Sequence, residues 1–377
     1  MRWTLVIVIQ FVLIQLAMNG TLASPQSQEF FTSSSTIEEL QGKQAVIETV
    51  AGTIVVDLLA EAAPNHVGHF IFKAREGAYD GTVFHRIISM GIIQGGDPIS
   101  KNPQQQADYG TGGLGVLQFE PNSESHTRGA VSAVLVPNDR DSAGSQFFIC
   151  VTDQIALDGQ YTVFGRVVEG IATAQKLSTS PADSNGAPIK RLEINKVTIR
   201  EASSTRPKLF VTETVAMLQE YRVRIETSMG AIIVELFPDR APNHVRNFLR
   251  LSSAGIYNGT AFHRVAKDFV IQGGHMPSRL EPLEVPQEQL IQSLEPEFNE
   301  TPHDMGILSM AQLEDPASAT TSFFIVTGRS QGLDGLYTVF GRVVGGLDVV
   351  ERIENVPVNG ETPVERVAVR RVVVISP

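Results

Sequence analysis

Apolar positions along this chain come in short, β-branched runs divided by glycine, proline and asparagine. Ala45-Val46-Ile47-Glu48-Thr49 and Thr53-Ile54-Val55-Val56-Asp57-Leu58 flank a turn at Gly52, the pattern of a β-hairpin. Tyr221 to Glu226 and Ala231 to Phe237 flank Gly230 in the same way. Each hairpin precedes a helix that carries a proline, Pro64 or Pro242, in its first turn, where the missing N–H does no harm. Val245, Phe248, Leu249 and Leu251 share one face of the second helix. Short strands follow, and the series ends in the β-branched stretches Ile194 to Ile199 and Val367 to Ile375. Many short strands and few helices predict a mainly β chain, a closed barrel or a sandwich, in which closure removes exposed edges.

The pattern occurs twice. Thr82-Val83-Phe84-His85-Arg86-Ile87 with Ile93-Gln94-Gly95-Gly96 recurs as Thr260-Ala261-Phe262-His263-Arg264-Val265 with Ile271-Gln272-Gly273-Gly274, an offset of 178 residues. Ser145-Gln146-Phe147-Phe148-Ile149 recurs as Thr321-Ser322-Phe323-Phe324-Ile325, and Leu157-Asp158-Gly159 through Val168 recurs from Leu333, both offset by 176. The copies therefore differ by a net two residues between the Gly-Gly and Phe-Phe segments. A repeat this long is a whole domain with its own core and not a solenoid unit. The greatest divergence is expected after Gly274, where copy two has a loop with Pro277, Pro282, Pro286 and Pro296 and copy one has Gly110-Thr111-Gly112-Gly113.

The chain's start changes the picture of where it works. Arg2, an apolar stretch from Leu5 to Met18 and small residues up to Ser24 have the pattern of an export signal. The expected organisation is a signal peptide over 1–24, a flexible polar segment over 25–40, one domain over 41–202, a linker over 203–219 and a second domain over 220–377. A periplasmic or secreted location follows, with no membrane span after cleavage. The single cysteine, Cys150, excludes an intrachain disulfide and sits in an apolar run as a small hydrophobe. The formal charge of −11 with no basic cluster argues against nucleic acid and anionic membranes as partners. The sequons at Asn258 and Asn299 matter only in a eukaryotic host.

Familiar catalytic sets are missing. There is no phosphate-cradling Gly-rich loop with Lys-Ser/Thr. His66 and His69 have metal-like spacing, but copy two has His244 and Asn247 there. No Ser or Cys nucleophile recurs beside His85 and His263, since Ser145 becomes Thr321. One Arg, one Gln and a group of apolar side chains do recur. Taken alone, each Arg reads as a surface or structural ion pair sooner than as a catalytic group.

In their order, the Phe-His-Arg, Gln-Gly-Gly, Phe-Phe-Ile, Leu-Asp-Gly and Val-Phe-Gly segments resemble the cyclophilin family of peptidyl-prolyl isomerases. The resemblance covers about Gln44 to Ala202 and Tyr221 to Ser376. It implies two eight-stranded antiparallel β-barrels, each capped by two helices, with a substrate groove on one outer face. It also implies proline-containing peptides and unfolded exported proteins as partners, and no cofactor. Rotation about an X–Pro amide crosses a barrier near ~20 kcal/mol without making or breaking a bond. A fixed guanidinium and an apolar slot for the ring are therefore suitable equipment.

By this resemblance Arg86 and Arg264 are the catalytic donors, with Gln94 and Gln272 fixing them and the substrate backbone. Phe148 and Phe324 form the pocket floor, while Phe147 and Phe323 point into the core by strand alternation. Leu157, Leu333, Tyr161 and Tyr337 close the pocket. Ile92, Phe269, Val270, Gln146, Ala311 and Gln312 complete the peptide-binding set. Copy one departs at Gly91, where the family has a pocket Phe, leaving Met90 as a candidate to swing in. It departs again at Val134 and Leu135. Copy two keeps Phe269 but has Ser322 in place of Gln146. Copy two is therefore expected to be the better isomerase. A proline-binding chaperone or scaffold of weak activity is the alternative, and a degenerate envelope protein is a third reading.

Overall fold

A computed structural model describes residues 29–202 and 209–376. The expected signal peptide and the first part of the expected linker lie outside the described residues. In copy one, the short helix α1 (Ile37–Leu40) precedes the hairpin β1 (Lys43–Thr49) and β2 (Gly52–Leu58) and the helix α2 (Pro64–Arg75). Then come β3 (Arg86–Ile88), β4 (Ile92–Gly95), β5 (Ala130–Ala133), β6 (Phe147–Cys150), β7 (Val163–Glu169), α3 (Ile171–Ser178) and β8 (Ile194–Glu201). Copy two repeats the order with α4 (Val215–Gln219), β9 (Arg222–Thr227), β10 (Gly230–Leu236), α5 (Pro242–Ser253), β11 (Thr260–Phe262), β12 (Arg264–Ala266) and β13 (Val270–Gly273). It continues through α6 (Val285–Glu288), β14 (Ile307–Met310), β15 (Phe323–Val326), β16 (Val339–Gly345) and α7 (Leu347–Glu354). The small hairpin β17 (Val358–Asn359) and β18 (Thr362–Pro363) and the last strand β19 (Val367–Ile375) complete it.

Copy one forms an antiparallel sheet in the order β3-β4-β6-β5-β7-β2-β1-β8. Its ends approach through backbone bonds from Phe84 to Leu192 and from Ile194 to Thr82, besides the Val83–Glu193 bridge. In copy two the same closure is regular: β11 pairs with β19 and β12 with β13, so the sheet counts nine strands. β11 and β12 are one strand bent at His263, which reconciles nine strands with an eight-stranded barrel. Ile47, Ile93 and Phe147 fill the first core, and Ile225, Ile271 and Phe323 the second. The helices α2 and α3 cap one barrel, and α5 and α7 the other.

Two expectations need correction. Residues 29–40, expected to be flexible, lie along α2: the Phe31 N–H bonds the Val116 carbonyl at 2.8 Å and its ring meets His69 edge-on at 5.0 Å. Residues 209–219, expected to be linker, form the same feature in copy two. Phe210 is buried, and Arg246 donates to the Phe210 and Glu213 carbonyls. Thr36 and Thr214 each cap the helix that buries Leu40 or Leu218. A helix of one turn offers a single apolar position, too little for any periodicity to mark it.

The divergent loop of copy two reaches across to copy one. Val285 of α6 is 5 % exposed and packs into copy one's core, above Gly129, where a Cβ would lie 2.7 Å from it. The Glu284 carboxylate accepts from the Gly170 and Ile171 N–H groups at the start of α3 (3.0 and 3.2 Å), the end of a helix that favours negative charge. Arg128 of copy one donates to the Leu283 carbonyl and pairs with Glu288 at 2.7 Å. Gln287 ties the loop back to its own barrel by donating to the Ala254 carbonyl.

Candidate active site

Strand register builds the site. Arg86 stands opposite Gln94, Gln94 opposite Phe148, and Phe148 opposite Ser132. Residues directly opposed on neighbouring strands project from one face. One row across β3, β4, β6 and β5 therefore carries Arg, Gln, Phe and Ser on the barrel's outer face. The next row, Ile87, Ile93, Ile149 and Val131, points into the core. Copy two repeats it with Arg264, Gln272, Phe324 and Ser309 outward and Val265, Ile271, Ile325 and Leu308 inward.

In copy one Arg86, Gln94 and Phe148 of the outer row line a cleft of about 660 Å³ with Ile92, Val134, Leu157 and Tyr161. Tyr161 meets Phe148 edge-on at 5.4 Å, as Tyr337 meets Phe324 at 5.5 Å. In copy two Val270 and Phe324 form a separate outer cluster, against which Phe269, Ala311, Leu333 and Tyr337 pack. The side chain of Gln312 instead donates to the Leu336 carbonyl at 3.1 Å.

The guanidinium groups are held differently. The Arg86 Nη1 donates to Gln94 Oε1 at 3.3 Å, Gln94 donates to Gln146 Oε1 at 3.2 Å, and Gln146 donates to the Gly110 and Gly112 carbonyls at 2.9 and 2.7 Å. Gln146 thus anchors the Gln94–Arg86 chain to the Gly-rich loop. In copy two the Arg264 Nη1 donates to Gln272 Oε1 at 3.4 Å. Its other two nitrogens bind the Glu361 carboxylate, Nε at 2.6 Å and Nη2 at 3.2 Å.

Four participants were missed in reading the sequence. Ile88 lines the copy-one cleft, and a Cβ on Gly91 would come within 2.8 Å of its Cγ2. The two copies thus exchange sizes across the same pair of positions, Ile88 with Gly91 against Ala266 with Phe269. Met90, the expected substitute, has φ +53 and is exposed. Behind each pocket floor lies a buried histidine: His126 stacks on Phe148 at 5.9 Å and bonds Asp158 at 2.9 Å. His303 stacks on Phe324 at 6.1 Å and bonds Asp334 at 3.0 Å. The recurrence of each His a few residues before a Gly was the available signal. Glu361 has no matching side chain in copy one, so the repeat itself could not reveal it.

Of the remaining candidates, His85 touches the site, its Nε2 3.4 Å from the Gln94 Nε2, and others have separate partners. His66 bonds Glu120 at 2.6 Å, whereas His69 faces Phe31. Burial lowers His85, and burial with the nearby His275 and Arg264 holds His263 down to about 4, so both rings are neutral at pH 7. Burial pushes the Cys150 thiol up to about 12. Asn258 accepts from the Val372 N–H and Asn299 donates to the Val339 carbonyl, so both sequon side chains serve the fold. No helix among the described residues is long and apolar enough to cross a membrane.

The family model for cyclophilin type peptidyl-prolyl cis-trans isomerase matches residues 44–199 and again 222–374. The chain is 35 % identical over 150 residues to the peptidyl-prolyl cis-trans isomerase ppi1 of Schizosaccharomyces pombe, covering 40 % of this chain and 94 % of that protein. It is 38 % identical over 138 residues to a peptidyl-prolyl cis-trans isomerase of Helicobacter pylori, covering 35 % of this chain and 78 % of that one. Among solved structures, a cyclophilin type isomerase of Cryptosporidium parvum, crystallised in the presence of the dipeptide Ala-Pro, is similar with a TM-score of 0.38 and 28 % identity. That match covers 42 % of this chain and 99 % of that chain. The chain belongs to the cyclophilin family of peptidyl-prolyl cis-trans isomerases and carries the family's domain twice.

Proposed function

We propose that this isomerase assists the folding of exported proteins, and that Arg86 and Arg264 supply the catalytic hydrogen bonds. The observation that carries the reading is the outward row of Arg, Gln and Phe, present in both copies. An X–Pro amide loses its resonance as it turns, and its nitrogen becomes a hydrogen-bond acceptor only in the twisted state. An N–H held at that nitrogen stabilises the twisted state more than either planar one, which is what accelerates rotation. The ring rests on Phe148 or Phe324 beneath Tyr161 or Tyr337 while the preceding carbonyl moves. Gln94 and Gln272 hold the guanidinium in line. No bond is made, so no nucleophile is required of the chain.

Unfolded exported proteins with exposed prolines are the clients in this reading. The export pattern of residues 1–24 supports a periplasmic or secreted location, and N-terminal sequencing of the protein recovered outside the cytoplasm tests it. The folding role is tested by refolding a client whose slow phase is proline isomerisation, tens of seconds unaided. The wild-type chain shortens that phase, and the double variant Arg86→Ala/Arg264→Ala does not. Equal shortening by both would refute the role given to the arginines.

A further inference from the structure

We infer that Glu361 is a positioning residue for Arg264, and that the two copies brace the same guanidinium from opposite sides. This inference rests on the catalytic role proposed for Arg264. Copy one ties its arginine inward through Gln94 and Gln146 to the Gly110 and Gly112 carbonyls. Ser322 replaces Gln146 in copy two, and no side chain there is long enough to continue that chain. Copy two instead has Glu361 on the turn between β17 and β18, with its carboxylate across Nε and Nη2 of Arg264 at 2.6 and 3.2 Å.

The copies meet at this point through the backbone. The Ile87 N–H bonds the Gly186 carbonyl at 2.8 Å, and the Val265 N–H bonds the Glu361 carbonyl at 2.7 Å. Gly186 and Glu361 therefore occupy one place. Gly186 has φ +82, and a Cβ on it would lie 2.5 Å from the Ile87 carbonyl oxygen. Copy one cannot carry a side chain there without moving its backbone, so it depends on the glutamine chain. Copy two has no such chain and carries a carboxylate where the backbone permits one.

The pairing leaves the arginine able to work. A guanidinium has five N–H donors. Glu361 engages one on Nε and one on Nη2, and Gln272 engages one on Nη1. One N–H on each terminal nitrogen stays available to a turning proline amide. A planar fork gripped along one edge by a carboxylate keeps its orientation. The benefit falls on the twisted state, so it belongs in kcat and not in KM.

The test uses the full chain with Arg86→Ala, so that only copy two turns over an Ala-Pro peptide, followed by NMR exchange. Glu361→Ala should lower kcat about tenfold with KM unchanged, and Glu361→Gln, which keeps one acceptor oxygen, should recover part of it. In the Arg264→Ala chain, Gln146→Ala should likewise lower the kcat of copy one, because it removes the anchor of the Gln94–Arg86 chain. Separately, and without substrate, the Arg264 Nε–H resonance should be sharp in the wild type and broadened by Glu361→Ala. An unchanged or increased kcat in Glu361→Ala, with the parent active, overturns the inference. A parent without activity would refute the role of Arg264, and the Nε–H resonance would then decide whether Glu361 braces it: sharp in both proteins, it does not.

Discussion

Val285→Asp should release the two barrels from each other. Val285 is 5 % exposed and belongs to copy one's core although it is part of copy two. Burying a valine contributes roughly 1.5–3 kcal/mol. The two hydrogen bonds from Gly170 and Ile171 to Glu284 add about 1–2 kcal/mol after the loss of water. The Arg128–Glu288 pair is partly exposed and adds ~0.5 kcal/mol. The contact is therefore worth about 3–5 kcal/mol, and the aspartate both removes the largest part and places a charge in an apolar slot. At 1.4 kcal/mol per decade, a loss of ~3 kcal/mol shifts docking by roughly a hundredfold. Nitrogen-15 relaxation reads the result. In the wild type, amides of both barrels should report one rotational correlation time, and in Val285→Asp each barrel should tumble faster with its own. Unchanged amide shifts at Ile47 and Ile225, deep in the two cores, would show that both barrels remain folded. A single, undiminished correlation time in the variant would refute the reasoning.

Ile88→Ala should weaken copy one specifically, because Ile88 is the apolar wall that stands in for the aromatic missing at Gly91. Truncating this half-exposed side chain removes ~1 kcal/mol of contact with a proline ring, seen as a KM raised about fivefold in the Arg264→Ala chain and no change in the Arg86→Ala chain. The Asp158 carboxyl is lowered to about 2 by hydrogen bonds from the His126 backbone, Ser125 and the His126 ring. A depressed folded value means that this stabilisation is present above the ordinary aspartate range near ~4 and is lost as pH falls towards about 2. Thermal unfolding of wild type and Asp158→Asn should accordingly differ most at neutral pH and converge by about pH 2, and a constant difference would contradict the assignment.

The fold was legible because each copy alternates apolar and polar residues strand by strand, and two copies in one order repeat the evidence. Repetition drew attention to the Arg and the Gln, but the outward place of Phe148 and Phe324 was legible only through the resemblance to the cyclophilin family, because a Phe-Phe-Ile run by itself reads as core. What escaped were features that only three dimensions bring together. Ile88 lines the cleft beside Gly91, three residues away across a tight turn, a contact that reading Gly91 alone could not reveal. Glu361 lies 97 residues from the arginine that it grips, on a turn with no counterpart side chain in copy one. The loop after Gly274 was expected to diverge, but nothing in its proline-bearing pattern indicated that Val285 would enter the other barrel. The buried His126 and His303 carry only a faint signal, a lone His recurring three residues before Gly129 and Gly306, and nothing local to either shows that it packs behind a pocket aromatic.

The central claim is that both copies turn X–Pro bonds by means of their arginines. The most direct measurement is NMR exchange of an Ala-Pro peptide with the wild-type chain, Arg86→Ala, Arg264→Ala and the double variant. The account predicts that each single variant keeps part of the acceleration and the double variant loses it. Acceleration by the double variant equal to that of the wild type would contradict it.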